Sequence, residues 1–306
     1  PVNKIRLFEH GAPGSQNLKL TRKYYTEDMP DGRVKHIVQN ITDPDIVPYI
    51  PDGIGNSTDR QRIPAVLIIP GGAFRRLVYN FEGEDVAKWL NSMGIAAFVL
   101  ECRLPSDEHD NAEDVPLIDA MRAMRVIRGR AQEFGIDEAK IGVMGFSAGG
   151  FMAALLSTAY ESDVYADYKY KDEYDKLSAR PDFAVCSYPV ISIDDCIEAG
   201  KRYMSEEQVL ERISDSKAKI LHKYNPDKLV RPDMPPVFIC ETDDDRTTLS
   251  ENSVGFYMAA RKAGVSAELH IFRTGGHGYG CGDDFAQTGE WKVLFTKWIK
   301  SIGIIS

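Results

Sequence analysis

No apolar run in this sequence approaches the roughly 18 consecutive residues that a membrane-spanning helix needs. The best candidate, Ile63 to Ile69, stops at Pro70-Gly71-Gly72. No leading stretch has the charged, apolar and small-residue layout of a secretory signal. The expectation is a soluble protein, either cytoplasmic or secreted or periplasmic after loss of a leader, since the chain opens at Pro1. Basic residues are in deficit, 37 Lys and Arg against 46 Asp and Glu, for a net charge of −9 with histidine neutral. Nothing concentrates Lys and Arg, which argues against a nucleic-acid partner. The five cysteines (Cys102, Cys186, Cys196, Cys240, Cys281) are odd in number and show no CxxC spacing. Three lie in strand-like apolar runs, where a free thiol is a small buried hydrophobe, and a zinc site is not expected. No internal repeat and no low-complexity linker is present.

What is there is an ordinary globular composition, 43% hydrophobic and 27% charged, enough to bury a sizeable core. From residue 64 on, short apolar runs alternate with longer amphipathic stretches, the pattern of a parallel sheet with crossover helices. The runs Ala65–Ile69, Ala96–Leu100, Ile141–Met144, Phe183–Tyr188, Val237–Cys240 and Ala267–Phe272 each read as a strand buried on both faces. Helices are expected where Val86, Trp89, Leu90 and Met93 precede Gly94, over Leu117 to Phe134, and over Gly289 to Lys300 with Trp291, Leu294, Phe295 and Trp298 on one face. The first 60 residues are rich in Gly and Pro and predict antiparallel edge strands and loops over one end of the sheet. Residues 192–236 interrupt the rhythm with a charged, helical insertion. The organisation expected is one α/β domain over residues 1–306 with a small cap at 192–236.

The strongest local signal is Gly145-Phe146-Ser147-Ala148-Gly149, placed between a strand and the helix-like Phe151–Ser157. A nucleophile elbow needs such a sharp strand-to-helix turn, and its glycines let a strained backbone pass. The bland alternative is a β–turn–α connection with a capping serine. A serine hydroxyl is a weak nucleophile until a base takes its proton. His277, in Gly275-Gly276-His277-Gly278, is the best base because it follows the last strand on a flexible loop; His270, inside a strand, reads as structural. The carboxylate that orients the base should follow the preceding strand, where Asp243, Asp244 and Asp245 stand in a row. At least one of them is expected to be solvated loop. The chain order Ser147, Asp244, His277 is that of an α/β-hydrolase. After the strand Ala65–Ile69, the N–H groups of Gly72 and Ala73 could join that of Ala148 as an oxyanion hole.

Together, Pro70-Gly71-Gly72-Ala73-Phe74, Glu82-Gly83, Arg103-Leu104-Pro105, the GFSAGG elbow, Tyr188-Pro189-Val190-Ile191 and Gly276-His277-Gly278 resemble the bacterial carbohydrate-esterase-like α/β-hydrolases, which include acetylxylan and feruloyl esterase relatives. The resemblance runs from about residue 60 onward and touches Glu9 to Gly14. It implies the α/β-hydrolase fold, with Ser147 as nucleophile, His277 as base and Asp244 as acid. The sequence departs from the pattern at Ala73, where a third glycine is usual, at Cys102, where tyrosine is common, and at Asp243, which replaces a small residue.

The function expected is hydrolysis of short acyl esters, acetyl esters of carbohydrates foremost, without cofactor or metal. The partner is then a small-molecule or oligosaccharide ester, with no nucleic acid or membrane involved. A peptidase or amidase of the same fold is the alternative enzyme. A non-catalytic scaffold usually loses the Ser or His, and both are present.

Overall fold

A computed structural model describes residues 4–30, 32–54, 62–209, 218–282 and 287–306. Strands β1 (Ile5–Arg6), β2 (Lys23–Asp28), β3 (Val34–Gln39) and β4 (Asp45–Tyr49) come first in the chain. They are followed by β5 (Ile63–Ile69), β6 (Leu77–Val78), β7 (Ala96–Glu101), β8 (Ile136–Phe146), β9 (Ala184–Ser187), β10 (Val237–Thr242) and β11 (Ala267–Phe272). The main sheet has eight strands in the order β1-β4-β7-β5-β8-β9-β10-β11, and β2-β3-β6 form a small second sheet. From β7 to β11 all pairs are parallel, whereas β4 and β1 add antiparallel edge strands. The turn-rich first 60 residues thus supply the expected edge, together with a separate ribbon.

The central strands are apolar where both sheet faces are covered, over Ala65–Ile69, Ala96–Leu100 and Ile141–Phe146, whereas Asp137, Glu138 and Lys140 at the start of β8 are not buried. In β5, Leu67 points into a cluster with Phe98, Val143 and Ile239, while Val66 and Ile68 point into the opposite cluster with Val99, Met144 and Phe146. Helices α1 (Asp85–Ser92) and α2 (Val115–Gly129) lie on opposite faces: Val86 and Leu90 join the second cluster, Met121 and Met124 the first. The helix expected over 117–134 is divided, since a short turn of helix, α3 (Ala131–Phe134), follows a break at Arg130 (φ −104°, ψ 17°). The strand β11 departs from the expectation of burial on both faces. It is the sheet's last strand, Ile271 is 41% exposed, and His270 Nε2 pairs with Glu268 Oε1 at 2.8 Å. All five cysteines are buried, and none of them forms a disulfide among the described residues.

Three features place chemistry at one edge of this sheet. Helix α4 (Ala148–Ala159) starts at the C-terminal end of β8, and α7 (Ser250–Lys262) follows the loop after β10. The loop after β11 leads to α8 (Trp291–Ser301). Parallel strands present their C-terminal ends together, so these connections converge. The insertion carries α5 (Ile193–Tyr203), capped by Ser192, whose hydroxyl accepts the Asp195 N–H at 3.1 Å, and α6 (Ala218–Lys223). Residues 210–217 of the expected cap lie outside the described residues. Among the described residues no helix is long and apolar enough to cross a membrane.

Candidate active site

Ser147 sits between β8 and α4 with φ 53° and ψ −118°, a conformation a side chain adopts only when its surroundings impose it. The imposing contacts are backbone to backbone. A Cβ at Gly149 would lie 1.9 Å from the Ile69 carbonyl oxygen, and one at Gly145 would lie 1.9 Å from that of Gly149. Only glycine lets β5, β8 and α4 approach this closely. The Ser147 N–H donates to the Ser187 carbonyl at 3.0 Å, which fixes the turn from the other side.

The imidazole of His277 reaches back over the strand ends. Its Nε2 is 2.8 Å from Ser147 Oγ, and its Nδ1 is 2.6 Å from Asp245 Oδ2. The histidine expected from sequence is therefore the one in contact, but the carboxylate is Asp245 and not Asp244. Asp243 and Asp244 are exposed, and Asp244 Oδ1 instead accepts the Gly276 N–H at 2.8 Å, holding the loop that carries His277. Asp245 turns inward because its Oδ1 accepts the N–H groups of Thr247 (2.7 Å) and Thr248 (3.0 Å), closing a local side-chain turn ahead of α7. The Thr248 hydroxyl donates to Asp245 Oδ2 at 2.9 Å and lies 3.2 Å from His277 Nδ1. Burial pushes the Asp245 carboxyl up. The His277 contact and the N–H groups of Thr248 and Thr247 outweigh that and hold it below the usual carboxylate range. Glu241, buried behind it, is pushed well above its ordinary value by burial and by the neighbouring Asp245 charge.

Opposite His277, the loop after β5 runs through three successive left-handed residues, Gly72 (φ 138°), Ala73 (φ 57°) and Phe74 (φ 59°). Ala73 thus holds a conformation that the more usual glycine would adopt freely, at a cost of about 1–2 kcal/mol. The N–H groups of Gly72 and Ala73 donate to no acceptor among the described residues, and that of Ala148 opens α4 unpaired. The Gly71 N–H is already engaged, donating to Glu82 Oε2 at 2.8 Å. A narrow cleft lies beside Gly71 and Ala148, walled by Phe74, Leu104, Pro116 and Met152.

Three contributors were not assigned a role from sequence. Thr248 carried no signal except its spacing from Asp245. Glu82 and Tyr188 stand in recognisable segments, yet nothing in those segments says that the Tyr188 hydroxyl donates to Glu82 Oε1 at 2.9 Å. Among the described residues no group of three His, Cys, Asp or Glu side chains could hold a metal ion.

A mostly parallel sheet carrying a strained serine after β8, a buried aspartate after β10 and a histidine after β11 defines an α/β-hydrolase. Residues 54–259 match the BD-FAE family, and the chain belongs to it. The chain is 31% identical over 240 residues to an acetylxylan esterase of Xylanibacter ruminicola, covering 78% of this chain and 45% of that protein. It is also 31% identical over 227 residues to endo-1,4-beta-xylanase B of Butyrivibrio fibrisolvens, covering 74% of this chain and 34% of that protein. It therefore spans less than half the length of either. Among solved structures, an acetyl ester-xyloside bifunctional hydrolase from Caldicellulosiruptor lactoaceticus superposes with a TM-score of 0.72 at 34% identity, covering 100% of this chain and 98% of that one. The esterase Est2 of Thermogutta terrifontis with bound propionate shares the fold at 24% identity and a TM-score of 0.66, covering 96% of each chain.

Proposed function

We propose that this protein is a serine esterase that removes short acyl groups, acetyl foremost, from carbohydrate esters. The observation that carries the reading is the unbroken line of hydrogen bonds from Asp245 through His277 to Ser147. In that arrangement His277 Nε2 takes the Ser147 proton as Oγ attacks the ester carbonyl, and Asp245 steadies the imidazolium that forms. The developing oxyanion faces the unpaired N–H groups of Gly72, Ala73 and Ala148, with the α4 dipole beneath it. His277 then returns the proton to the departing alcohol, leaving an acyl-Ser147. Water attacks that ester while His277 takes its proton, His277 passes the proton to Ser147 Oγ as the acyl bond breaks, and the carboxylic acid leaves.

The small cleft beside Ala148 favours a short acyl chain. The names of the Xylanibacter and Caldicellulosiruptor relatives favour acetylated xylan-type sugars as the alcohol half. Within the stretch expected as a cap, α5 follows the end of β9 and exposes Asp194, Glu198 and Lys201, as suits a polar substrate and not a lipid surface. The decisive measurement is hydrolysis of p-nitrophenyl acetate and acetylated xylo-oligosaccharides by wild type and by Ser147→Ala. The variant is expected to fold normally and to lose several orders of magnitude in kcat. Turnover above about a tenth of wild type would remove Ser147 from the mechanism. Cleavage of an anilide in preference to the matched ester would favour the amidase alternative.

A further inference from the structure

The site has two halves on separate loops, and one buried carboxylate touches the supports of both. Glu82 lies in a π-helical turn (Asn80–Glu84) ahead of α1 and is 4% exposed. Its Oε2 accepts the Gly71 N–H at 2.8 Å, and its Oε1 accepts the Tyr188 O–H at 2.9 Å. Gly71 is the residue from which the loop bearing Gly72 and Ala73 departs. A Cβ at Gly71 would meet Glu82 Oε2 at 2.7 Å and Ser147 Cβ at 2.9 Å, so the carboxylate and the nucleophile flank one glycine.

Tyr188 links the carboxylate to the other half. The residue is fully buried and holds φ 36°. Its ring meets the His277 imidazole edge-on, with centroids 5.0 Å apart at 69°. Its hydroxyl accepts the Gly280 N–H at 3.0 Å, which pins the far end of the His277 loop. Its carbonyl oxygen lies 3.3 Å from the Thr248 hydroxyl, which donates to Asp245. One donor on each Glu82 oxygen is the pattern an ionised carboxylate satisfies.

We propose that Glu82 is a positioning residue whose carboxylate ties the oxyanion loop at Gly71 to Tyr188 and so to the His277 side, and whose charge supports the imidazolium. The inference rests on the serine-esterase reading of the site. Burial pushes the Glu82 carboxyl up and outweighs the nearby His277, the Tyr188 O–H, the Gly71 N–H and Lys35, which draw it down, so it stays above the usual carboxylate value. The other charged or titratable groups around His277 are Asp245 on its Nδ1, Asp244 on the Gly276 N–H, Tyr188 against the ring and Glu241 behind Asp245. A structural clamp alone would lower stability and kcat without changing which pH silences the enzyme. A charge that favours the imidazolium also sets where the acid limb falls.

The test is Glu82→Gln, which keeps the size and removes the charge. The expected result is a kcat about 10- to 100-fold lower with KM within about threefold, as lost preorganisation gives. The acid limb of kcat/KM should move to lower pH by about half a unit or more. Glu82→Gln within twofold of wild-type kcat, or an unmoved acid limb, overturns the proposal. Should Glu82→Gln fail to fold, Tyr188→Phe cuts the tie while leaving the carboxylate. It should lose about tenfold in kcat with the acid limb in place, and wild-type kcat in that variant overturns the tie. Fluorophosphonate labelling of wild-type Ser147 is run alongside, because its absence defeats the esterase reading instead. In that event the pH at which the His277 ring signal moves in NMR spectra of wild type and Glu82→Gln still decides the Glu82 inference without turnover, with no difference overturning it.

Discussion

The Ser147 side and the Asp245–His277 side of this site are held by different means. Ser147 is fixed by backbone packed on backbone, since the Gly145 and Gly149 positions have no room for a Cβ. Asp245 and His277 are fixed by side-chain hydrogen bonds, through Thr247, Thr248, Tyr188 and Asp244, on loops that would otherwise be free. Steric fixation tolerates almost no substitution and writes itself into the sequence as glycines at set spacing. Hydrogen-bond fixation can be built from many residue types and leaves a fainter trace. The first kind gives a geometry that survives local perturbation, and the second gives one that individual polar contacts can tune.

The contrast is sharpest at the row of aspartates. Asp245→Asn is expected to cost roughly 10⁴ in kcat, because an amide on His277 Nδ1 favours the wrong tautomer. Asp244→Asn should stay within about tenfold, since an amide oxygen can still accept the Gly276 N–H. Steady-state rates on p-nitrophenyl acetate separate the two, and a larger loss in the Asp244 variant would put the orienting carboxylate one residue earlier. On the steric side, Gly149→Ala should act through the fold and not through the chemistry. Its methyl group meets the Ile69 carbonyl, so about 1–3 kcal/mol or more of stability is lost. Denaturant melts check this, and a variant as stable as wild type would mean that the elbow is less constrained than its geometry implies.

Phe74 and Ala148 wall the cleft, so acyl selectivity is expected to be set on the Ser147 side. Wild type should prefer acetate over octanoate esters by about tenfold or more, and Phe74→Ala should narrow that ratio, as room for added methylenes does at about 1–3 kcal/mol. A ratio unchanged by Phe74→Ala would place acyl selection in the cap. The smallest effect expected concerns acid stability. The Asp245 carboxyl is held below its ordinary value, so its contribution is in place above the unfolded-state value near 3.9 and is lost as pH falls through the lower folded-state one. Denaturant midpoints at pH 7 and pH 3 should show wild type more stable than Asp245→Asn at the higher pH, with the gap narrowing at the lower. A gap that widens on acidification would contradict the direction of that shift.

Much of the architecture is legible in the chain. The apolar runs Ala65–Ile69, Ile141–Met144 and Val237–Cys240 lie in strands because a stretch covered on both faces is mostly apolar, and the elbow is legible because only glycine passes where Gly145 and Gly149 pass. His277 is recognisable from its place after the last strand. The choice among Asp243, Asp244 and Asp245 is not, because three identical side chains share one composition and differ only in the direction each takes from the turn after β10. That direction is set by where the Thr247 and Thr248 N–H groups stand once α7 begins.

The sequence by itself determined the parallel sheet, the strained serine between β8 and α4, and the histidine loop, because periodicity and glycine placement are local properties of the chain. Only the tertiary structure decided that Asp245 meets His277, that β11 is half exposed at the sheet's edge, and that Glu82 and Tyr188 join the two halves of the site. Those are contacts between residues up to 106 positions apart. They exist only once the sheet has brought its strand ends together, and no local pattern encodes them.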